Sequence, residues 1–90
     1  MSTLPLRTLP DSGSRLRRFT VLGEAEPGLL PRLIEPFAKR GLLLRRLEAS
    51  AEAEGLRVSL AAELDEAGAS LLGASLRAIV GVTAVLAETP

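Results

Sequence analysis

Two carboxylates, Glu24 and Glu26, flank Ala25 just ahead of Pro27-Gly28-Leu29-Leu30. This is the stretch of the chain best suited to binding chemistry. A carboxylate accepts hydrogen bonds from an ammonium group. A glycine lets a ligand approach the backbone closely. Free amides at the start of a helix attract a carboxylate through their aligned dipoles. Acceptors for an ammonium beside donors for a carboxylate are what an amino-acid zwitterion needs. Leu42-Leu43-Leu44, expected in the strand after the helix, would supply an apolar wall from a neighbouring subunit. The candidate ligand-binding residues are therefore Glu24, Ala25, Glu26, Pro27, Gly28, Leu29, Leu30, Leu42, Leu43 and Leu44. The same turn is also an ordinary entry into a helix, where acids stabilise the first turn without any ligand.

Other chemistry has less to stand on. The chain has no histidine and no cysteine, which excludes disulfides, thiolate chemistry, zinc–thiolate sites and imidazole acid–base catalysis. Glu63, Asp65 and Glu66 cluster, but without a histidine they read as solvated turn and helix charges. The segment 23–28 lacks the lysine of a phosphate-binding loop and the spacing of a dinucleotide fingerprint. No catalytic residue, metal site or cofactor is expected.

The elements that must hold the turn are readable from periodicity. Phe19 and Val21 sit two apart in a first strand over 16–23. Leu29, Leu30, Leu33, Ile34, Phe37 and Ala38 make one stripe at helical period over 29–40, stopped by Gly41. Pro31 fits the first turn, whereas Pro36 removes a backbone bond and predicts a kink or shift. A second strand over 42–53 alternates Leu47, Ala49, Ala51 and Ala53 with polar residues. Arg45-Arg46 breaks that alternation and predicts a bulge. Glu54-Gly55 marks a hairpin into a third strand over 56–62. A second helix over 66–80, with Asp65 as N-cap, carries Leu71, Leu72, Ser75, Leu76, Ile79 and Val80. Gly81 ends it, and 82–87 is the fourth strand. Residues 1–14, with Pro5, Pro10 and Gly13, read as a flexible leader to a domain over 15–90.

The order strand-helix-strand-strand-helix-strand implies an α+β, ferredoxin-like βαββαβ sandwich. Its four-stranded antiparallel sheet carries both helices on one face. RNA-binding modules share that order, but they stack bases on strand aromatics. Here Phe19 is the lone strand aromatic, and Arg17, Arg18, Arg45 and Arg46 read as ordinary surface.

Ninety residues make one domain that buries only about 60–65% of its unfolded surface, so a partner adds much. The 47% of hydrophobic residues are aliphatic but for two phenylalanines and one methionine, which points to a subunit interface and a homodimer. The formal net charge of zero gives no field for nucleic acid or an anionic membrane. Charge is nonetheless uneven. Residues 1–46 hold nine basic and four acidic side chains, residues 47–90 two and seven. The asymmetry would orient a partner or simply coat the surface. No window is long and apolar enough for a membrane span, and no signal peptide opens the chain. A cytoplasmic location is expected.

The run Gly28-Leu29-Leu30-Pro31-Arg32-Leu33-Ile34-Glu35-Pro36-Phe37-Ala38-Lys39-Arg40-Gly41 resembles the first helix of ACT domains, small amino-acid-sensing regulatory modules. It is most similar to the small regulatory subunit of acetolactate (acetohydroxyacid) synthase, matching at glycine, leucine, arginine, phenylalanine and the terminal Arg-Gly. Leu76-Arg77-Ala78-Ile79-Val80-Gly81-Val82-Thr83-Ala84-Val85 looks like that family's passage from second helix to last strand. The likeness covers residues 17–88. It implies a non-catalytic regulatory domain in branched-chain amino-acid biosynthesis. Such a domain binds an amino-acid effector at a subunit interface and activates an acetolactate synthase catalytic subunit that carries thiamine diphosphate. Where valine-regulated members have asparagine, in the turn and after the helix, this chain has Ala25 and Leu43. The alternatives are a stand-alone small-molecule sensor and an interaction module with a vestigial pocket.

Overall fold

The computed structural model describes residues 14–88. Six elements follow in the expected order: β1 (Arg15–Gly23), α1 (Leu29–Lys39), β2 (Arg46–Glu52), β3 (Gly55–Leu64), α2 (Glu66–Arg77) and β4 (Val82–Glu88). The leader expected over 1–14 lies outside the described residues, apart from Ser14.

The strands form one antiparallel sheet in the order β2-β3-β1-β4. Register shows why one face is the core. Phe19 stands opposite Leu60 and Val21 opposite both Val58 and Val85, so these side chains share a face. Leu29, Leu33 and Phe37 of α1 and Leu72 and Leu76 of α2 pack onto that same face, all fully buried. Both helices therefore cover one side of the sheet. The chain's two aromatics meet at the centre, with Phe19 and Phe37 edge to face at a centroid distance of 6.1 Å. Ala38, the last residue of the predicted stripe on α1, is exposed.

The other face is a mosaic rather than a second core. Arg18 pairs with Glu88 at 3.8 Å and Arg45 with Glu63 at 2.9 Å. Leu16 and Leu86 are exposed among them.

Helix ends account for most boundary differences. After α1 the Gly41 amide donates to Ala38 O (3.0 Å) and the Leu42 amide to Phe37 O (2.9 Å), with Gly41 at φ +69°. This is a Schellman cap, and it draws Leu42 into the helix terminus. The second strand accordingly starts at Arg46 rather than 42. Just before it, the Arg45 amide donates to Ala61 O at 2.8 Å, while Arg46 is the register partner of Ala61. That bond extends the pairing one residue ahead of β2, and the register then runs unbroken from Arg46↔Ala61 to Glu52↔Gly55, so the irregularity expected at Arg45-Arg46 does not interrupt the strand. Helix α1 runs through Pro36 to Lys39.

Helix α2 begins as expected, with the Gly68 amide donating to the Asp65 carboxylate at 2.7 Å. It ends at Arg77, three residues short of the predicted 80. The Ile79 amide turns back to Leu76 O, and the chain then reverses through Gly81 at φ +101°. Val80, read as part of the apolar stripe, is 79% exposed.

Candidate ligand site

The β1–α1 turn is built on close backbone contacts that only glycine permits. A Cβ on Gly23 would stand 2.6 Å from Gly81 O and 2.7 Å from a Leu29 methyl. The Glu24 amide uses that proximity to donate to Gly81 O at 2.8 Å. On β4 the register jumps from Leu22↔Ala84 to Gly23↔Val82, leaving Thr83 as an extra residue. Its hydroxyl donates to Leu22 O at 2.9 Å, so the carbonyl at the irregularity keeps a partner.

Above this joint the turn opens onto a cleft of about 350 Å³ lined by Ala25, Glu26, Pro27, Leu30, Ala51 and Leu56. Four of the predicted site residues therefore come together. Ala51 and Leu56 were not foreseen. They face each other across the β2–β3 hairpin, and folding that hairpin carries them to the turn. Among the described residues the cleft is almost wholly aliphatic, with Glu26 as its one charged group.

The remaining predicted residues are placed differently. Glu24 is exposed beside the cleft, and Gly28 occupies the N-cap of α1. Leu29 is fully buried in the core, and its amide donates to Glu26 O at 3.1 Å, so neither is offered to a ligand. Pro31 has no amide to offer. The α1 terminus has no side-chain cap. Leu42, Leu43 and Leu44 follow the opposite end of α1 and do not line the cleft within one copy. Leu43 there is 75% exposed.

One functional neighbour was missed altogether. Arg32 donates through Nε to Gly28 O (3.0 Å) and through Nη1 to Val80 O (3.2 Å), and its Nη2 lies 3.0 Å from a Glu26 carboxylate oxygen. It fixes Glu26 and ties the β1–α1 turn to the α2–β4 turn. The spacing Glu26 to Arg32 carries no local signal, because the turn between them decides whether they meet.

A second hollow of about 300 Å³ lies beside the β2–β3 turn, lined by Leu22, Gly23, Glu52, Glu54, Gly55, Leu56, Arg57 and Thr83. Its main charges neutralise each other, Arg57 pairing with Glu52 at 3.4 Å. We take the turn cleft as the candidate site because Ala25, Glu26, Pro27 and Leu30 line it, whereas the second hollow holds none of the predicted residues. Among the described residues no group of three or more His, Cys, Asp or Glu could hold a metal. No helix among them is long and apolar enough to cross a membrane.

Comparison with known proteins agrees with the fold. The ACT domain from the GTP pyrophosphokinase of Chlorobium tepidum superposes in its crystal structure with a TM-score of 0.73 at 19% identity. It covers 83% of this chain and 99% of that one. An uncharacterized protein from Thermotoga maritima gives 0.68 at 17%, covering 84% and 96%. The C-terminal domain of the MgtC protein from Mycobacterium tuberculosis gives 0.64 at 19%, covering 91% and 94%. No curated protein matches the sequence. The family model for the ACT-like domain matches residues 12–89, nearly the whole chain, and the protein belongs to that family of typically regulatory domains.

Proposed function

We propose that the chain is a regulatory domain that holds a small amino-acid effector in the cleft at the β1–α1 turn. The observation that carries this reading is the cleft's composition. Ala25, Pro27, Leu30, Ala51 and Leu56 give aliphatic walls, and Glu26 gives one carboxylate. Such a lining suits an aliphatic side chain bearing an ammonium group. The effector acts by linkage: it favours whichever state of an enzyme partner binds the occupied domain better.

The finer reading is a small regulatory subunit of acetolactate synthase in branched-chain amino-acid synthesis. It works in the cytoplasm as a homodimer on a separate, thiamine diphosphate-carrying catalytic subunit. The α1 sequence from Gly28 to Gly41 supports it. Ala25 brings no polar side chain to the cleft, so feedback by valine is not part of the proposal.

A second reading rests on Arg32. Because it already pairs with Glu26, the domain would work as an interaction module whose pocket no longer binds a ligand.

Calorimetric titration of the full chain with a panel of amino acids separates the two. Heat and thermal stabilisation with an aliphatic amino acid, both lost in Gly28→Asp, support the sensor. Silence across the panel supports the interaction module. Affinity purification from the native host tests the partner. Recovery of a thiamine-dependent acetolactate synthase catalytic subunit supports the finer reading, and a homo-oligomer without enzyme removes it in favour of a stand-alone sensor.

A further inference from the structure

We propose that the outer edge of β4 docks an extended, acidic peptide segment of a partner protein, which adds a further strand to the sheet and sets one carboxylate on Arg77. This edge lies across the sheet from β2 and the turn cleft, so the docking does not depend on the effector reading.

The two outer strands of the sheet are made differently. β2 reads RLEASAE, with Arg46 paired to Glu48 at 3.4 Å and Glu52 to Arg57 at 3.4 Å. Charges along an edge keep other strands off it. β4 reads VTAVLAE, with no charge ahead of Glu88 and no proline. An edge of that composition lacks those guards and is open to strand addition.

The backbone parity of β4 follows from its neighbours. The Glu24 amide donates to Gly81 O, and Leu22 O accepts the Thr83 hydroxyl. Even-numbered residues of β1 therefore turn their backbone groups toward β4, where Ala84, Leu86 and Glu88 are their partners. The hairpin gives the same alternation from the other side. Glu52 and Gly55 close a two-residue turn, so Val58 and Leu60 spend their backbone groups on Val21 and Phe19. On β4 the amides and carbonyls of Val85 and Ala87 are left pointing outward. The register irregularity at Thr83 confines this regular edge to residues 84–88.

At the start of β4 a hollow of about 330 Å³ is lined by Arg77, Val82, Thr83, Ala84 and Val85, with Arg77 as the one charge among them. Gly73, one turn earlier on α2, leaves room for that guanidinium, since a Cβ there would stand 3.3 Å from Arg77 Nη1. Among the described residues Arg77 has neither a hydrogen bond nor an ion pair. A guanidinium with its donors unspent beside an apolar strand edge is complementary to a carboxylate. The added strand thus takes its main-chain bonds from Val85 and Ala87 and its specificity from Arg77. A second copy's β4 brings no such group. Its acid, Glu88, stands with Arg18 on the open face of the sheet, whereas Arg77 belongs to the helix-bearing face.

The full chain, without any amino acid, is used to select from a phage-displayed library of random linear peptides. The enriched peptides should carry an aspartate or glutamate whose replacement by lysine abolishes binding. Arg77→Ala should weaken the selected peptide by about tenfold, and Arg77→Glu should favour its lysine-substituted form. Ala87→Pro removes an outward amide at an edge position that accepts proline, and should weaken binding by about tenfold or more. In hydrogen exchange the amides of Val85 and Ala87 should slow by about tenfold or more when the peptide binds, whereas those of Ala84 and Leu86 are protected throughout. An unenriched library overturns the proposal, as do peptides indifferent to Arg77→Ala and Ala87→Pro. A dimer of the free chain that Ala87→Pro dissolves also overturns it, because a second copy then covers the edge. Peptide binding of the expected kind in a chain that gives no heat with any amino acid keeps the docking edge and removes only the ligand reading.

Discussion

The guanidinium of Arg32, in the first turn of α1, donates to the carbonyl of Val80, 48 residues away, at 3.2 Å. The same side chain holds Gly28 O and the Glu26 carboxylate. One residue thus joins the two loops at this end of the sheet and sets the position of the charge that Glu26 brings to the cleft. The joint is partly solvated, so its value lies in position more than in stability.

Arg32→Ala should therefore lower stability only modestly, by about 1 kcal/mol, from the loss of two bonds to carbonyls and one exposed ion pair. That corresponds to a fall of roughly 4–8 °C in Tm for a domain of this size. Glu26→Gln, which leaves both carbonyl bonds in place, should cost less than half as much. Thermal and urea denaturation of the two variants check the order. Equal losses would mean that the ion pair, and not the carbonyl bonds, holds the joint.

The core makes a sharper demand. Phe37 is fully buried against Phe19, and no other aromatic exists to fill the space. Phe37→Ala should cost about 3–5 kcal/mol, a large part of the stability of so small a domain. Phe37→Leu keeps most of the volume and should cost far less. Urea midpoints with unchanged slopes would place the effect on the folded state.

Much of this was legible in the chain, for local reasons. The period-two placing of Phe19 and Val21, the helical spacing of Leu29, Leu33 and Phe37, and Asp65 ahead of α2 each express a rule that acts over a few residues. Misreadings came where a cap competes with a strand or a stripe. Leu42 closes the Schellman cap, and the apolar pattern could not reveal that it belongs to the helix end. Val80 continues the α2 stripe in sequence, but the chain has already turned. The site was half legible for the same reason. Ala25 to Leu30 is a local turn. Ala51 and Leu56 arrive by hairpin folding, and Arg32 reaches Val80 across the whole second half of the domain.

Two glycines separate close packing from backbone conformation. Gly23 has no room for a Cβ, which would press on the Gly81 carbonyl. Gly41 has open space around it but sits at φ +69°. Gly23→Ala should force the backbone apart and cost about 1–3 kcal/mol or more. Gly41→Ala should cost about 1–2 kcal/mol through the left-handed conformation alone. Gly41→Asn should recover part of that loss, because asparagine tolerates this region, whereas Gly23→Asn should be worse than Gly23→Ala. Denaturation midpoints of the four variants test the split, and recovery at Gly23 with asparagine would refute the steric account.

The start of α1 gives the last prediction, because it sets stability against binding. Gly28 caps the helix without a side-chain hydrogen bond, whereas Asp65 caps α2 with one. Asp65→Ala should cost about 1 kcal/mol. Gly28→Asp should leave the fold intact, since its helical backbone accepts other residues and the added carboxylate stands at the positive end of α1 with Arg32 beside it. The same carboxylate would repel the carboxylate of a bound amino acid and fill its approach to the backbone. The expected pattern is a Tm equal to or above the parent with calorimetric binding abolished. A variant that is stable and still binds would move the ligand away from the α1 terminus. Loss of stability would instead show that Gly28 is required by the turn, whose backbone there is helical at φ −78°, ψ −9° and tolerates other residues on conformational grounds.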